Sequence, residues 1–255
     1  MTGYHFALIS ETPDVTPADL YRLAGALEVN GAQCAAAWGK ARPAIDVIRH
    51  KRNLPRGVHP IVFVDGSDTH GSGLAFHYYD PLRPGPAARV FCGKATGFNA
   101  GESSVAELAS HELVEAMTDP MVNLWLDHPD PSRVAGVEMA LEVADMVQTH
   151  YLVGARGDKW QMSNFVTPSY FRQDLAENPQ RLTAFFEAGG KLDWSGELSK
   201  PGEIGPRGYA ILRQPRPSGG WDSWPENAGG KRVTFRPDQG KSHELSRTRI
   251  RGATS

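Results

Sequence analysis

The sequence predicts an α+β fold in which a small mixed sheet packs on one helix that carries a chemical motif, followed by a loop-rich C-terminal extension. Three observations predict it. An early helix and a run of short strands precede a second, strongly capped helix, instead of alternating with helices throughout. That second helix, within Ser103 to Pro120 (SSVAELASHELVEAMTDP), sets His111, Glu112, Glu115 and Asp119 among apolar residues. From Leu192 the chain turns rich in glycine and proline, the composition of loops. At 255 residues, 40% hydrophobic and 22% charged, the chain has ample core for one domain with appendages.

The elements follow in order. His5 to Ser10 reads as a short strand. Thr16 opens a helix through T-P-A-D, with proline at the first helical position. Leu20 to Trp38 continues that helix, with Asn30-Gly31 as the point where it could break. Val58 to Val64 is a compact strand between turn residues. Gly73 to Tyr79 and Ala88 to Cys92 are two more strands, joined by the proline-rich turn Pro81 to Pro86. Beyond the motif helix, Tyr151 to Phe165 reads as a hairpin turning at Gly154 to Asp158. Leu175 to Ala188 reads as a helix ended by Gly189-Gly190, and Tyr209 to Leu212 as a strand. The expected division is a metal-binding domain over 1–214, then a Gly/Pro-rich linker and basic tail over 215–255, with Trp221 and Trp224 as docking points.

The motif helix is delimited at both ends. Ser104 caps its first turn, Glu107 can return the hydrogen bond, and Pro120 closes it. Side chains four apart stack on one helix face, so His111, Glu115 and Asp119 form a line. His111-Glu112-x-x-Glu115 differs by one residue from H-E-x-x-H, in which two histidines grip zinc and the glutamate activates a water. Carboxylate is an acceptable zinc ligand, so the geometry survives; it also hardens the site towards iron, manganese or calcium. The competing reading is a solvated face of an amphipathic helix.

This segment, S-H-E-x-x-E-x-x-x-D-P, resembles the zincin-like metallopeptidases, in a variant branch of uncharacterised bacterial and phage-encoded proteins distantly related to exordium-like proteins. The likeness extends to Gly73-Leu74-Ala75-Phe76-His77, Asn123-Leu124-Trp125, Glu142-Val143-Ala144-Asp145, Ser163 to Phe171 and Gly208-Tyr209. It implies a zincin-like fold, a divalent metal with zinc first, and Glu112 as catalytic base. A glutamate beyond the helix then completes the ligand set. Glu138 and Glu142 both suit; Glu142 is the choice, with Asp145 as the neighbouring or alternative ligand. The segment Val137 to Val147 is apolar enough to be buried, so its acids need partners. Salt bridges to Arg133 or Arg156 are the competing reading for Glu142 and Asp145, and capping the next turn is the competing reading for Asp119. His77 lies in a strand where a histidine satisfied by a hydrogen bond is the commoner case.

The function expected is metal-dependent hydrolysis of peptide or amide bonds. The alternatives are a non-catalytic, virion-like or assembly component on the same fold, and a metal-dependent oxygenase. Net charge is −2, which exerts no global pull on nucleic acid or anionic membrane. The basic excess from Lys231 onward is the one place for a weak polyanion contact. No signal peptide or membrane segment is read, which gives a cytoplasmic expectation. Cys34 and Cys92 are expected as free thiols. A Gly-rich phosphate loop is absent, and so are zinc-ribbon cysteines.

Overall fold

The computed structural model describes residues 3–66, 74–133 and 135–232. It is a mixed α+β structure that divides into two compact units. Within the described residues the first unit comprises 3–123 and 150–163, and the second 124–149 and 164–232.

The first unit is built on a five-stranded sheet of order β2-β1-β3-β5-β4. Its strands are β1 (His5–Ser10), β2 (Ala44–Val47), β3 (His59–Val64), β4 (Ala75–Asp80) and β5 (Gly85–Phe91). All pairings are parallel except that of the edge strand β4, which runs antiparallel to β5 through the turn at Pro81. Parallel neighbours need a crossover, and helix α1 (Pro17–Trp38) supplies it between β1 and β2. Thr16 and Asp19 close a full capping box at its start. Leu20, Leu23 and Leu27 of α1 join Ala109, Leu113 and Met117 of α2 (Val105–Thr118), with Phe6, Leu8 and Phe63 from the sheet, in one apolar core. The hairpin of β8 (His150–Ala155) and β9 (Asp158–Ser163) adds Trp160 and Met162 to that core. It turns at Arg156 and Gly157, both at positive φ (52° and 86°), the backbone that a tight two-residue hairpin requires.

Asn30-Gly31 does not interrupt α1. Asn30 is fully buried and its amide donates to the Tyr151 hydroxyl at 2.9 Å, which compensates its poor helix propensity. Gly31 sits where a Cβ would lie 2.5 Å from Cγ of Pro43, so the site demands a missing side chain.

The second unit holds a four-stranded antiparallel sheet of order β11-β10-β7-β6. The strands are β6 (Trp125–Asp127), β7 (Glu138–Ala140), β10 (Tyr209–Pro215) and β11 (Trp221–Asn227). Residues 221–227, expected within a linker, are thus a paired strand. Its proline is Pro225, tolerated because β11 is an edge strand. Trp221 is held by a specific partner: the Arg213 guanidinium lies 3.9 Å from its ring centroid and 4.2 Å from that of Trp125, and pairs with Glu138. The helix expected over Leu175 to Ala188 is two, α3 (Gln173–Glu177) and α4 (Pro179–Glu187). Pro179 cannot continue a helix but starts one well, and Asn178 caps it through Arg181 N–H.

Both cysteines are free thiols. Among the described residues no helix is long and apolar enough to cross a membrane. The basic tail from residue 233 lies outside the described residues, as does His70.

Candidate metal centre

Helix α2 delivers the motif as its caps dictate, with one change. Ser104 Oγ accepts from Glu107 N–H at 3.2 Å, while the Glu107 carboxylate reaches Ser103 N–H at 2.9 Å, one residue earlier than a capping box. Ser103 stands at φ 61°, which turns its N–H towards Glu107. At the other end Asp119 is the C-cap, and its Oδ1 accepts from Asn123 N–H at 3.1 Å. Asp119 therefore serves the turn that follows the helix.

Between these ends α2 presents His111, Glu112 and Glu115, and the antiparallel edge strand β4 presents His77. Glu112, Glu115 and His77 are each no more than 4% exposed, whereas the His111 side chain keeps 17%. Glu115 is the hub. Its Oε1 lies 3.3 Å from His111 Nε2, and its Oε2 lies 3.3 Å from His77 Nδ1. Glu112 Oε2 lies 3.4 Å from the same His77 nitrogen. Behind His111, its Nδ1 lies 3.4 Å from Ser163 Oγ, and Ser163 N–H donates to Ser110 Oγ at 2.8 Å. The hairpin strand β9 thereby backs the imidazole from the side opposite Glu115.

These separations carry chemical information. A charge-assisted N–H to carboxylate hydrogen bond closes to about 2.7–2.9 Å. Donor atoms around a tetrahedral ion with bonds of about 2.0 Å stand roughly 3.3 Å apart, the edge of the tetrahedron. The imidazole and carboxylate atoms here keep the longer spacing, and their types are those that bind zinc and related ions.

The two carboxyls are driven in opposite directions. Burial raises Glu112, and its contacts with His77 and His111 only partly oppose that. Burial also acts to raise Glu115, but the His111 charge and the hydrogen bonds from His111 and His77 hold it well below the usual carboxylate range.

Glu142 and Asp145 belong to the second unit. Glu142 directly follows the β7 segment and Asp145 opens a short 3-10 turn, Asp145–Val147; each is 6% exposed. Gln148 donates to Asp145 Oδ1 at 3.3 Å. Arg133, suggested as a partner for these acids, instead forms a bidentate pair with Glu226. Asn164, placed by the family likeness, anchors a loop: its amide donates to Asp193 at 2.7 Å and its oxygen accepts from Ser195 N–H at 3.1 Å. The sequence underrated His77. Its one signal was alternation with Phe76 and Tyr78, and the ladder pairing His77 with Ala88 settles which face it takes. Comparisons of the chain with protein-family models, with curated proteins and with solved structures give no match.

Proposed function

We propose that this protein is a metal-dependent hydrolase of peptide or amide bonds, on a zincin-like fold, with His111 and Glu115 as ligands of one divalent ion, zinc first. The observation that carries the reading is the 3.3 Å spacing of imidazole and carboxylate atoms about Glu115. The mixed sheet packed on a motif-bearing helix supports it. His77 joins as a further candidate ligand from β4. Glu142, with Asp145 as its alternative, stays the proposed completing ligand on the sequence argument alone.

When bound, the ion supplies Lewis acidity towards a carbonyl and a water of lowered pKa. Glu112 would take a proton from such a water on its carboxylate and pass it to the leaving amine. His77 Nδ1 stands 3.4 Å from Glu112 Oε2, beside the carboxylate that would act as base. Ser163 holds the His111 ring from behind. A non-catalytic component, with the cluster serving only to hold the core, is the second reading; the burial of Glu112 to 4% favours it.

Metal analysis of protein purified without added metal, combined with a peptide library, tests both. The parent should carry one ion, His111→Ala none, and Glu112→Gln the full complement with turnover reduced by roughly 10² to 10⁴. Full occupancy in His111→Ala removes the site. A metal-loaded parent without hydrolysis moves the reading to the non-catalytic class.

A further inference from the structure

A second feature of the first unit is unrelated to the histidine–carboxylate cluster. A cleft of about 430 Å³ opens at the carboxyl end of β1 and beside the segment that follows β2. It is lined by Ser10, Glu11 and the four consecutive residues Arg49, His50, Lys51 and Arg52, with Ile9 also in its wall. The volume falls within the range of small-ligand sites. The position is the carboxyl end of the parallel strands β1 and β2, the end of such strands at which small ligands are usually bound.

The cleft is held by its backbone. Ile48 N–H bonds Leu8 O at 3.0 Å, extending the β1–β2 ladder up to Arg49. Asn53 N–H bonds His50 O at 2.9 Å and Leu54 N–H bonds Lys51 O at 3.1 Å, winding Lys51 and Arg52 into a 3-10 turn, Lys51–Asn53, that follows directly on Arg49 and His50. Leu54 then enters a small apolar cluster with Ala7, Ile9 and Val58, which pins the turn to the sheet. On the facing wall, Ser10 Oγ donates to Thr12 O at 2.8 Å and fixes the exit of β1.

The charges, by contrast, are left open. Among the described residues Arg22, Arg133, Arg172 and Arg213 each meet a carboxylate. Arg49, Lys51 and Arg52 meet none among the described residues, although Glu11 lines the same cleft. Three permanent cations and a histidine in four consecutive residues, in a chain of net charge −2, form a local field that solubility alone does not require. Guanidinium groups match phosphate oxygens in paired hydrogen bonds, and an ammonium adds a point charge.

We propose that this cleft binds the phosphate groups of a small phosphorylated molecule. Arg49, Lys51 and Arg52 take the phosphate oxygens, and Ser10 and Glu11 take hydroxyl or amino groups of the remainder. A multiply charged phosphate suits it better than a lone monoanion, because three cations fall within the four residues Arg49 to Arg52.

The test titrates the full chain with pyrophosphate by calorimetry at physiological ionic strength. Two charge-matched double variants accompany the parent: Arg49→Gln with Arg52→Gln inside the cleft, and Arg42→Gln with Lys159→Gln outside it. All four side chains are exposed, so both variants should keep the parent's circular dichroism. The expected result is saturable binding to the parent, weakened roughly tenfold or more in the cleft variant and unchanged in the control. Absence of binding to the parent, or equal weakening in both variants, overturns the proposal. Metal content should be the same in all three proteins, which keeps this site separate from the one on α2.

Discussion

The two units bury acids in different ways, and the contrast separates a structural carboxylate from one suited to an ion. In the second unit Asp193 is fully buried and closed upon hydrogen-bond donors: Asn164 Nδ2 at 2.7 Å, Leu198 N–H at 2.8 Å, Gly196 N–H at 2.9 Å and Glu197 N–H at 3.1 Å. Most of its partners are backbone groups that would otherwise lack an acceptor, and the distances are those of good hydrogen bonds. In the first unit Glu115 is as deeply buried, yet its oxygens face imidazole nitrogens at 3.3 Å. An acid knitted to the main chain organises a loop. An acid spaced among imidazoles leaves room for a cation between them.

The largest expected effect breaks the structural side of this contrast. Asp193→Ala strands one side-chain amide and three backbone N–H groups, so stability should fall by about 3 kcal/mol or more in denaturant unfolding. A loss below about 1 kcal/mol would show that Asp193 does not organise its loop. Next comes metal removal. Chelation should lower the melting temperature of the parent while leaving that of His111→Ala unmoved, since an ion bound only by the folded state stabilises by mass action. Equal response of both proteins would place any metal elsewhere.

A smaller effect concerns the bidentate pair of Arg133 and Glu226. Arg133→Ala leaves Glu226 buried without its guanidinium, and should cost about 1–2 kcal/mol, reduced because Arg133 is partly exposed. A pH dependence is expected at His128, which burial and the nearby Arg133 push down from 6.5 to about 4. As pH falls from 6.5 towards 4, the unfolded chain binds a proton that the folded histidine refuses, so stability declines across that window and this contribution levels off below it. His128→Asn should flatten that part of the stability profile; an unchanged slope would assign the acid sensitivity to other groups.

What could be read from the sequence follows the reach of each signal. Strand β1 and the ends of both long helices were legible because caps and short apolar runs act locally, as with Thr16 and Asp19, and Ser104 and Glu107. Strand β2 was missed: four residues long and exposed at alternate positions, it exists through its parallel pairing with β1. β6 and β7 are three residues each and are likewise defined by partners distant in sequence. The line of His111, Glu115 and Asp119 was visible as helix spacing, and Glu112 as part of the motif beside His111. His77 was not, because a strand residue's facing depends on register, and register depends on the whole ladder. The anion cleft escaped notice for a related reason, since Arg49 to Arg52 gain meaning only where β2 brings them alongside the end of β1.

A methyl group added at Gly31 would come within 2.5 Å of Pro43, whereas Leu113 of α2 would stand 3.5 Å away, an ordinary van der Waals contact. The strain of such a change would therefore fall on the proline that leads into β2, and the helix that bears His111 and Glu115 would keep its seat. Gly31 acts as the notch into which the lead-in to β2 is keyed: filling it would push that parallel strand away from its place beside β1 while the motif stayed as it is.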